Sequence, residues 1–91
     1  MSAEVTWSVA TPEGVVASGT STFLVVPTER GELGVMADHA ALAACTVPGE
    51  LRVTNPDASV RTIHVERGIV DVRDNVVKLL VLAAEAAKPR S

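Results

Sequence analysis

Few residues in this chain are of types that do covalent chemistry, and their spacing limits what they can do. Cys45, His39 and His64 supply the only thiol and the only imidazoles. A cysteine becomes a nucleophile when a base sits within hydrogen-bond reach of it, and Asp38-His39 precede Cys45 closely enough to raise that chemistry. No local nucleophile signature surrounds Cys45. The simpler reading is a small cysteine buried as a hydrophobe. Structural zinc needs about four converging ligands, and the histidines and cysteine show no close spacing, so neither a metal nor a cofactor is expected. His39 reads as a loop residue and His64 as an outward strand residue. The carboxylates are scattered, and Asp71 and Asp74 flank a hairpin, where Asp serves turn chemistry. Gly31 and Gly34 lack the Lys and helix that follow in a phosphate-binding loop. The expectation is a chain without catalytic residues.

Residues 28–34 remain, a polar segment bounded by glycine that reads as a loop. It carries Glu29, Arg30, Gly31 and Glu32, then Leu33 and Gly34. A solvated hairpin loop has this composition, yet loops are also where binding residues gather. Leu33 is the anomaly, because an apolar side chain at a charged loop tip can anchor in a partner. The residues alone leave these two readings equal.

The rest of the chain must position that segment. Its 91 residues suit one compact domain. A domain of this size buries only about 60–65% of its unfolded surface, so a partner could add to a modest core. Hydrophobic residues make up 47% and aromatics 2%, the apolar mass being mainly Val, Ala and Leu. Val favours pleated strands. The net charge of −3 is dispersed, without a basic run, which argues against a nucleic-acid partner. Trp7 and Phe23 are the only rings, too few to stack single strands. One cysteine cannot form an internal disulfide, which points to a reducing compartment. No secretory pattern opens the chain. The longest apolar run, 76–84, is broken by Lys78 and falls short of the roughly 20 residues that span a bilayer.

Residues 4–10 alternate, with Val5, Trp7 and Val9 on one face, and predict a half-buried strand. Thr11-Pro12-Glu13-Gly14 is a turn. A short strand over 15–18 ends at Gly19. Residues 21–26 predict a strand covered on both faces and closed by Pro27. Val35-Met36 is a brief apolar pair, and Ala-rich 38–45 reads as a short strand or a turn of helix. Pro48-Gly49 marks a turn, followed by a strand over 50–54 with Leu51 and Val53 inward. After Asn55-Pro56-Asp57, residues 60–65 place Ile63 and Val65 inward. Gly68 opens a strand with Val70 and Val72 inward, Asp74-Asn75 fits a two-residue hairpin, and 76–82 is the last strand. Residues 83–88 suit a turn of helix stopped by Pro89. Short strands with turns about every 8–12 residues predict an all-β sandwich or barrel.

The run Val25-Val26-Pro27-Thr28-Glu29-Arg30-Gly31-Glu32-Leu33-Gly34-Val35 resembles the signature of the epsilon subunit of F-type ATP synthases. The resemblance continues through His39-Ala40, Leu42 and Pro48-Gly49-Glu50-Leu51-Arg52-Val53. It extends over nearly the whole chain, from Thr11-Pro12-Glu13-Gly14 to Gly68-Ile69-Val70-Asp71-Val72 and Leu82-Ala83. It implies a small two-sheet β-sandwich of about ten short strands, over 1–84, with a short polar tail over 85–91. Where the family often has proline and glycine around the histidine, this chain has Ala37, Asp38 and Ala41; where it has paired glycines, this chain has Arg67-Gly68.

The resemblance further implies a non-catalytic central-stalk rotor subunit that links the gamma subunit to the c ring and helps couple proton flow to ATP synthesis. It would lie on the cytoplasmic face of a bacterial plasma membrane, associated only through the complex. Glu29, Arg30, Gly31, Glu32, Leu33 and Gly34 would face the c ring, with Glu32 the foremost contact. His39, Ala40, Ala41 and Leu42 would face gamma. The family's C-terminal helical hairpin, with its inhibitory and nucleotide-binding residues, is expected to be missing from this chain. Two rivals remain: a free-standing protein- or ligand-binding sandwich, and a small hydrolase using Cys45 and His39. Co-purification with gamma separates the stalk reading from the first.

Overall fold

The computed structural model describes residues 4–86. Ten strands follow one another: β1 (Val5–Thr11), β2 (Gly14–Ser21), β3 (Phe23–Thr28), β4 (Gly31–Met36), β5 (Leu42–Thr46), β6 (Gly49–Thr54), β7 (Val60–Val65), β8 (Gly68–Arg73), β9 (Val76–Val81) and β10 (Ala84–Ala86). They hydrogen-bond along one path, β10-β7-β6-β3-β5-β8-β9-β1-β2, with β4 added on β3. The path doubles over between β3 and β5, which share only the Thr28–Thr46 pair. One layer is β10, β7, β6, β3 and β4; the other is β5, β8, β9, β1 and β2. This is the expected two-sheet all-β sandwich. All pairings are antiparallel except β1 with β9, which is parallel.

Period-two alternation builds the core. Val5, Trp7 and Val9 of β1 meet Leu24 and Val26, Leu51 and Val53, Ile63 and Val65, Val70 and Val72, and Val77 and Leu79, all almost fully buried. Val15 and Val16 are exposed instead. The β1–β2 register shifts between Val9 and Ala10: Val9 faces Ala17 while Ala10 faces Val15. The extra residue, Val16, is a bulge that turns β2 locally. Two buried polar atoms, Trp7 Nε1 and Ser21 Oγ, have no hydrogen-bond partner among the described residues. The Arg61 guanidinium lies 5.6 Å from the Trp7 ring centroid, close enough for a cation–π attraction.

Turn chemistry matches the sequence at both ends of the β6–β9 segment. Asp74 and Asn75 take φ of 52° and 61°, the left-handed pair of a type I′ hairpin. Asp57 accepts hydrogen bonds from the Ser59 hydroxyl at 2.6 Å and the Ser59 amide at 2.9 Å. The hydroxyl bond first, then the amide bond, holds its carboxyl below the usual carboxylate range.

Several expectations are corrected. Residues 28–34 are not a loop: β3 runs to Thr28, β4 begins at Gly31, and only Glu29-Arg30 form the turn. Thr28 organises it, its hydroxyl accepting from the Arg30 amide at 3.2 Å and donating to the Gly31 carbonyl at 2.7 Å. Pro27 does not close β3 but pairs with Glu32. Gly19 does not end β2; it sits opposite Trp7 and β2 continues to Ser21. Within 38–45 the helical alternative fails, since β5 starts at Leu42. Cys45 is exposed rather than buried, because β5 turns Leu42, Ala44 and Thr46 inward and Cys45 outward. The helix expected over 83–88 is replaced by β10 at Ala84–Ala86; residues 87–91, including Pro89, lie outside the described residues.

Gly68 is fixed by a close backbone approach. A Cβ there would clash with the Leu80 carbonyl oxygen and lie 2.6 Å from Val81 Cα. Backbone cannot swing aside as a flexible side chain can, so Gly68→Ala is expected to lower stability by about 2–3 kcal/mol. Urea unfolding of the two chains, with unchanged m-value, measures this directly.

Candidate functional site

The β3–β4 hairpin presents Glu29 and Arg30 at its tip, and Glu29 donates its amide to the Cys45 carbonyl at 3.0 Å. Gly31 takes φ of 103°, a left-handed backbone that suits glycine. Glu32 projects from β4 into solvent and is already paired: its Oε2 lies 3.1 Å from Arg52 Nη2 on β6. The side chains of this pair are 60% and 45% exposed. Leu33 is not a tip anchor. The inward parity of β4 belongs to Leu33 and Val35, so Leu33 is half-buried against the core, as is Leu42 of β5. Gly34 lies under the Phe23 ring, where a Cβ would come within 3.0 Å of Phe23 Cζ.

Glu29, Arg30, Gly31, Glu32 and Leu33 line one cleft of about 270 Å³ together with Leu42. The other residues expected on the gamma side lie elsewhere. His39 and Ala41 border a separate cleft of about 450 Å³ with Asp38, Asp74 and Asn75, while Ala40 is exposed. That corner is braced by the Asp38 amide donating to Asn75 Oδ1 at 2.6 Å. His39 Nδ1 lies 2.8 Å from the Ala40 carbonyl oxygen. His39 and Cys45 share no hydrogen bond among the described residues, so the geometry of a Cys–His nucleophile is not assembled. No group of three His, Cys, Asp or Glu among the described residues has metal-binding geometry.

The outer face of the β5-β8-β9-β1-β2 layer holds a feature that the sequence reading missed. Register places Cys45 beside Ile69, Ile69 beside Leu80, Leu80 beside Ala10, and Ala10 beside Val15. An apolar row therefore crosses β5, β8, β9, β1 and β2. Ile69, Leu80 and Val15 are 53%, 63% and 68% exposed, and neighbouring Leu82 is 66% exposed. Pro12, Val47 and Pro48 complete a groove of about 700 Å³ here. The next row on this face begins at Ala43 and is polar from there on: Asp71, Lys78, Ser8 and Ser18. The signal for the apolar row lay in broken alternation. Ile69 and Leu80 occupy the same outward parity as Asp71 and Lys78, where polar residues are expected.

A charged hairpin thus stands beside an exposed apolar groove. Residues 4–87 match the family described as ATP synthase, Delta/Epsilon chain, beta-sandwich domain. The chain belongs to this family. Curated relatives include the ATP synthase epsilon chain of Persephonella marina, 38% identical over 78 residues, covering 86% of this chain and 56% of that one. The epsilon chain of Macrococcus caseolyticus is 41% identical over 81 residues, covering 88% and 60%. The chain thus spans little more than half the length of these relatives. Among solved structures, a chain of the Euglena gracilis mitochondrial ATP synthase, OSCP/F1/c-ring, superposes with a TM-score of 0.86 at 20% identity, covering 94% of this chain and 55% of that one. One from the Tetrahymena thermophila mitochondrial ATP synthase central stalk/c-ring has a TM-score of 0.66 at 19% identity, covering 88% and 64%. At these identities the two structures establish a shared fold.

The Arg52–Glu32 pair orients the hairpin carboxylate more than it holds the sandwich together. Arg52→Ala is expected to cost less than about 1 kcal/mol, as for other exposed pairs. Thermal unfolding of the variant measures it, and a larger loss would make the pair a structural brace.

Proposed function

We propose that this sandwich serves in a central-stalk rotor subunit of a proton-translocating F-type ATP synthase, binding gamma on one face and the c ring at the β3–β4 hairpin. The apolar row from Cys45 to Val15 is the observation that supports this reading most strongly, since a patch of this kind marks a protein interface. The epsilon-chain relatives, and the F1, central-stalk and c-ring assemblies that contain the similar folds, supply the partners. In this reading the chain is not an enzyme; its task is mechanical. A close-packed interior with low compressibility transmits torque without yielding. The complex would hold it at the cytoplasmic face of a bacterial plasma membrane. The working domain would extend through β10, since Glu85 and Ala86 pair with β7 rather than starting a tail.

The gamma side is assigned to the outer face of the β5-β8-β9-β1-β2 layer; His39, Ala40 and Ala41 precede β5 at its other end, beside the Asp74-Asn75 turn, and Leu42 turns inward. Ile69, Leu80 and Leu82 would be its apolar anchors, and fully burying one such side chain contributes about 1.5–3 kcal/mol. Glu29 to Gly34 would meet the polar loops of the c ring. Because Arg52 already holds Glu32, a basic ring residue would share or exchange that carboxylate. One exposed pair contributes only about 0–1 kcal/mol, so the hairpin supplies register and the apolar face supplies grip.

Two measurements test the two faces. Titration of this chain with purified gamma is expected to show binding that Leu80→Glu weakens by more than about tenfold, with the variant's circular dichroism unchanged. Failure of the unaltered chain to bind gamma overturns the stalk reading in favour of a free-standing module. In an assembled synthase, Glu32→Lys is expected to reduce ATP-driven proton pumping while leaving the sandwich folded; normal pumping overturns the hairpin assignment.

A further inference from the structure

The layer opposite the apolar groove carries a charge cluster that the docking reading leaves unused. In register across β6, β7 and β10 lie Glu50, His64 and Glu85. Antiparallel partners share a face, so all three stand on the outer surface. Both imidazole nitrogens of His64 meet carboxylates. Nε2 lies 2.6 Å from Glu66 Oε2, and Nδ1 lies 3.7 Å from Glu50 Oε1. Arg52, two residues along β6 from Glu50, is held by Glu32. His64 thus contacts Glu50 of β6 and Glu66 at the end of β7, and Glu85 of β10 stands opposite it in the ladder.

The carboxylates differ in how firmly their strands are held. β6 lies between β3 and β7, and β7 between β6 and β10. β10 has only three residues and is the terminal strand of the path. It is fastened to β7 by the Ala84–Val65, Glu85–His64 and Ala86–Ile63 pairs, extended by the Glu66 amide donating to the Ala83 carbonyl at 3.0 Å. A short edge strand is the element most easily opened. When His64 is charged, Glu85 faces a cation across the ladder. When His64 is neutral, that opposite-charge pairing across the ladder is lost.

We infer that His64 is a pH-sensitive clasp for β10, holding this edge strand on the sandwich when protonated and loosening it when neutral. The hydrogen bond to Glu66 raises the His64 pKa above its ordinary value, opposed by desolvation and assisted by the charges of Glu66 and Glu50. A folded pKa raised above the unfolded one stabilises fully below the unfolded value, about 6.5. That stabilisation is lost as pH rises through the raised folded value. The clasp thus opens on the alkaline side, and the strand it frees is the one that leads out of the sandwich toward the C-terminus.

Amide hydrogen exchange on the 91-residue chain tests this between about pH 5.5 and 8.5, a range that straddles histidine titration. Rates are corrected for base-catalysed intrinsic exchange. Protection of the β10 amides and of the Glu66 amide is expected to fall several-fold, with the midpoint of the His64 ring-proton shift seen by NMR, while β8 and β9 amides stay level. His64→Gln is expected to abolish the step, leaving low protection throughout. Glu85→Gln is expected to shrink the step while His64 still titrates. Protection of β10 that does not vary with pH in the unaltered chain overturns the inference, as does a step that survives in His64→Gln. A fall shared equally by β8 and β9 also overturns it, because that is global unfolding.

Discussion

β1 and β9 run side by side in the same direction, with Trp7 beside Val77 and Ala10 beside Leu80. β1 opens the described chain and β9 comes near its end, so this one parallel contact spans most of the sequence. It completes the β5-β8-β9-β1-β2 layer by joining the β1–β2 hairpin to β8–β9. It also sets Val5, Trp7 and Val9 over the interior, where they complete the core against the other layer. A contact between such distant segments carries a large loop-closure cost. Without it the N-terminal hairpin would be an isolated two-stranded ribbon, which is marginal in water.

The same contact makes the outer surface. Pairing β1 with β9 puts Ala10 next to Leu80, and the bulge at Val16 then turns Val15 onto the same face. Without the bulge, the residue opposite Ala10 would be Val16 and the parity of the start of β2 would reverse. One backbone irregularity thus lengthens an apolar row that four well-registered strands have begun. The close approach of β8 to β9 at Gly68 serves the same end, since it brings Ile69 against Leu80.

The two layers present unlike outer faces over one shared core. The β5-β8-β9-β1-β2 layer ends in exposed Ile69, Leu80 and Leu82; the other carries Glu50, His64, Glu66 and Glu85 around its edge strand. Between them, at the fold of the sheet, stands the β3–β4 hairpin with its Arg52-paired Glu32. An apolar face gains by exclusion of water, and a charged face by ionisation state. The two surfaces therefore respond to different variables although the same inward residues support both.

Much of this was legible along the chain. Alternation in residues 4–10, 50–54, 60–65 and 69–73 identified inward residues correctly, since strand periodicity is a local property of the backbone. Asp74-Asn75 identified its hairpin because those side chains tolerate left-handed φ. Reading failed where a residue's role depends on a remote neighbour. Gly19 and Pro27 looked like strand ends, yet pairing with β1 and with β4 carries the strands through them. Cys45 looked buried by type, and Leu33 looked exposed by context; the parity of their strands reversed both. The sequence by itself determined which residues alternate and that the fold is all-β. Only the tertiary structure decided which outward residues line up across strands, because register is set by partners distant in sequence. The apolar row, the Glu32–Arg52 pair and the His64 cluster all arise from that register.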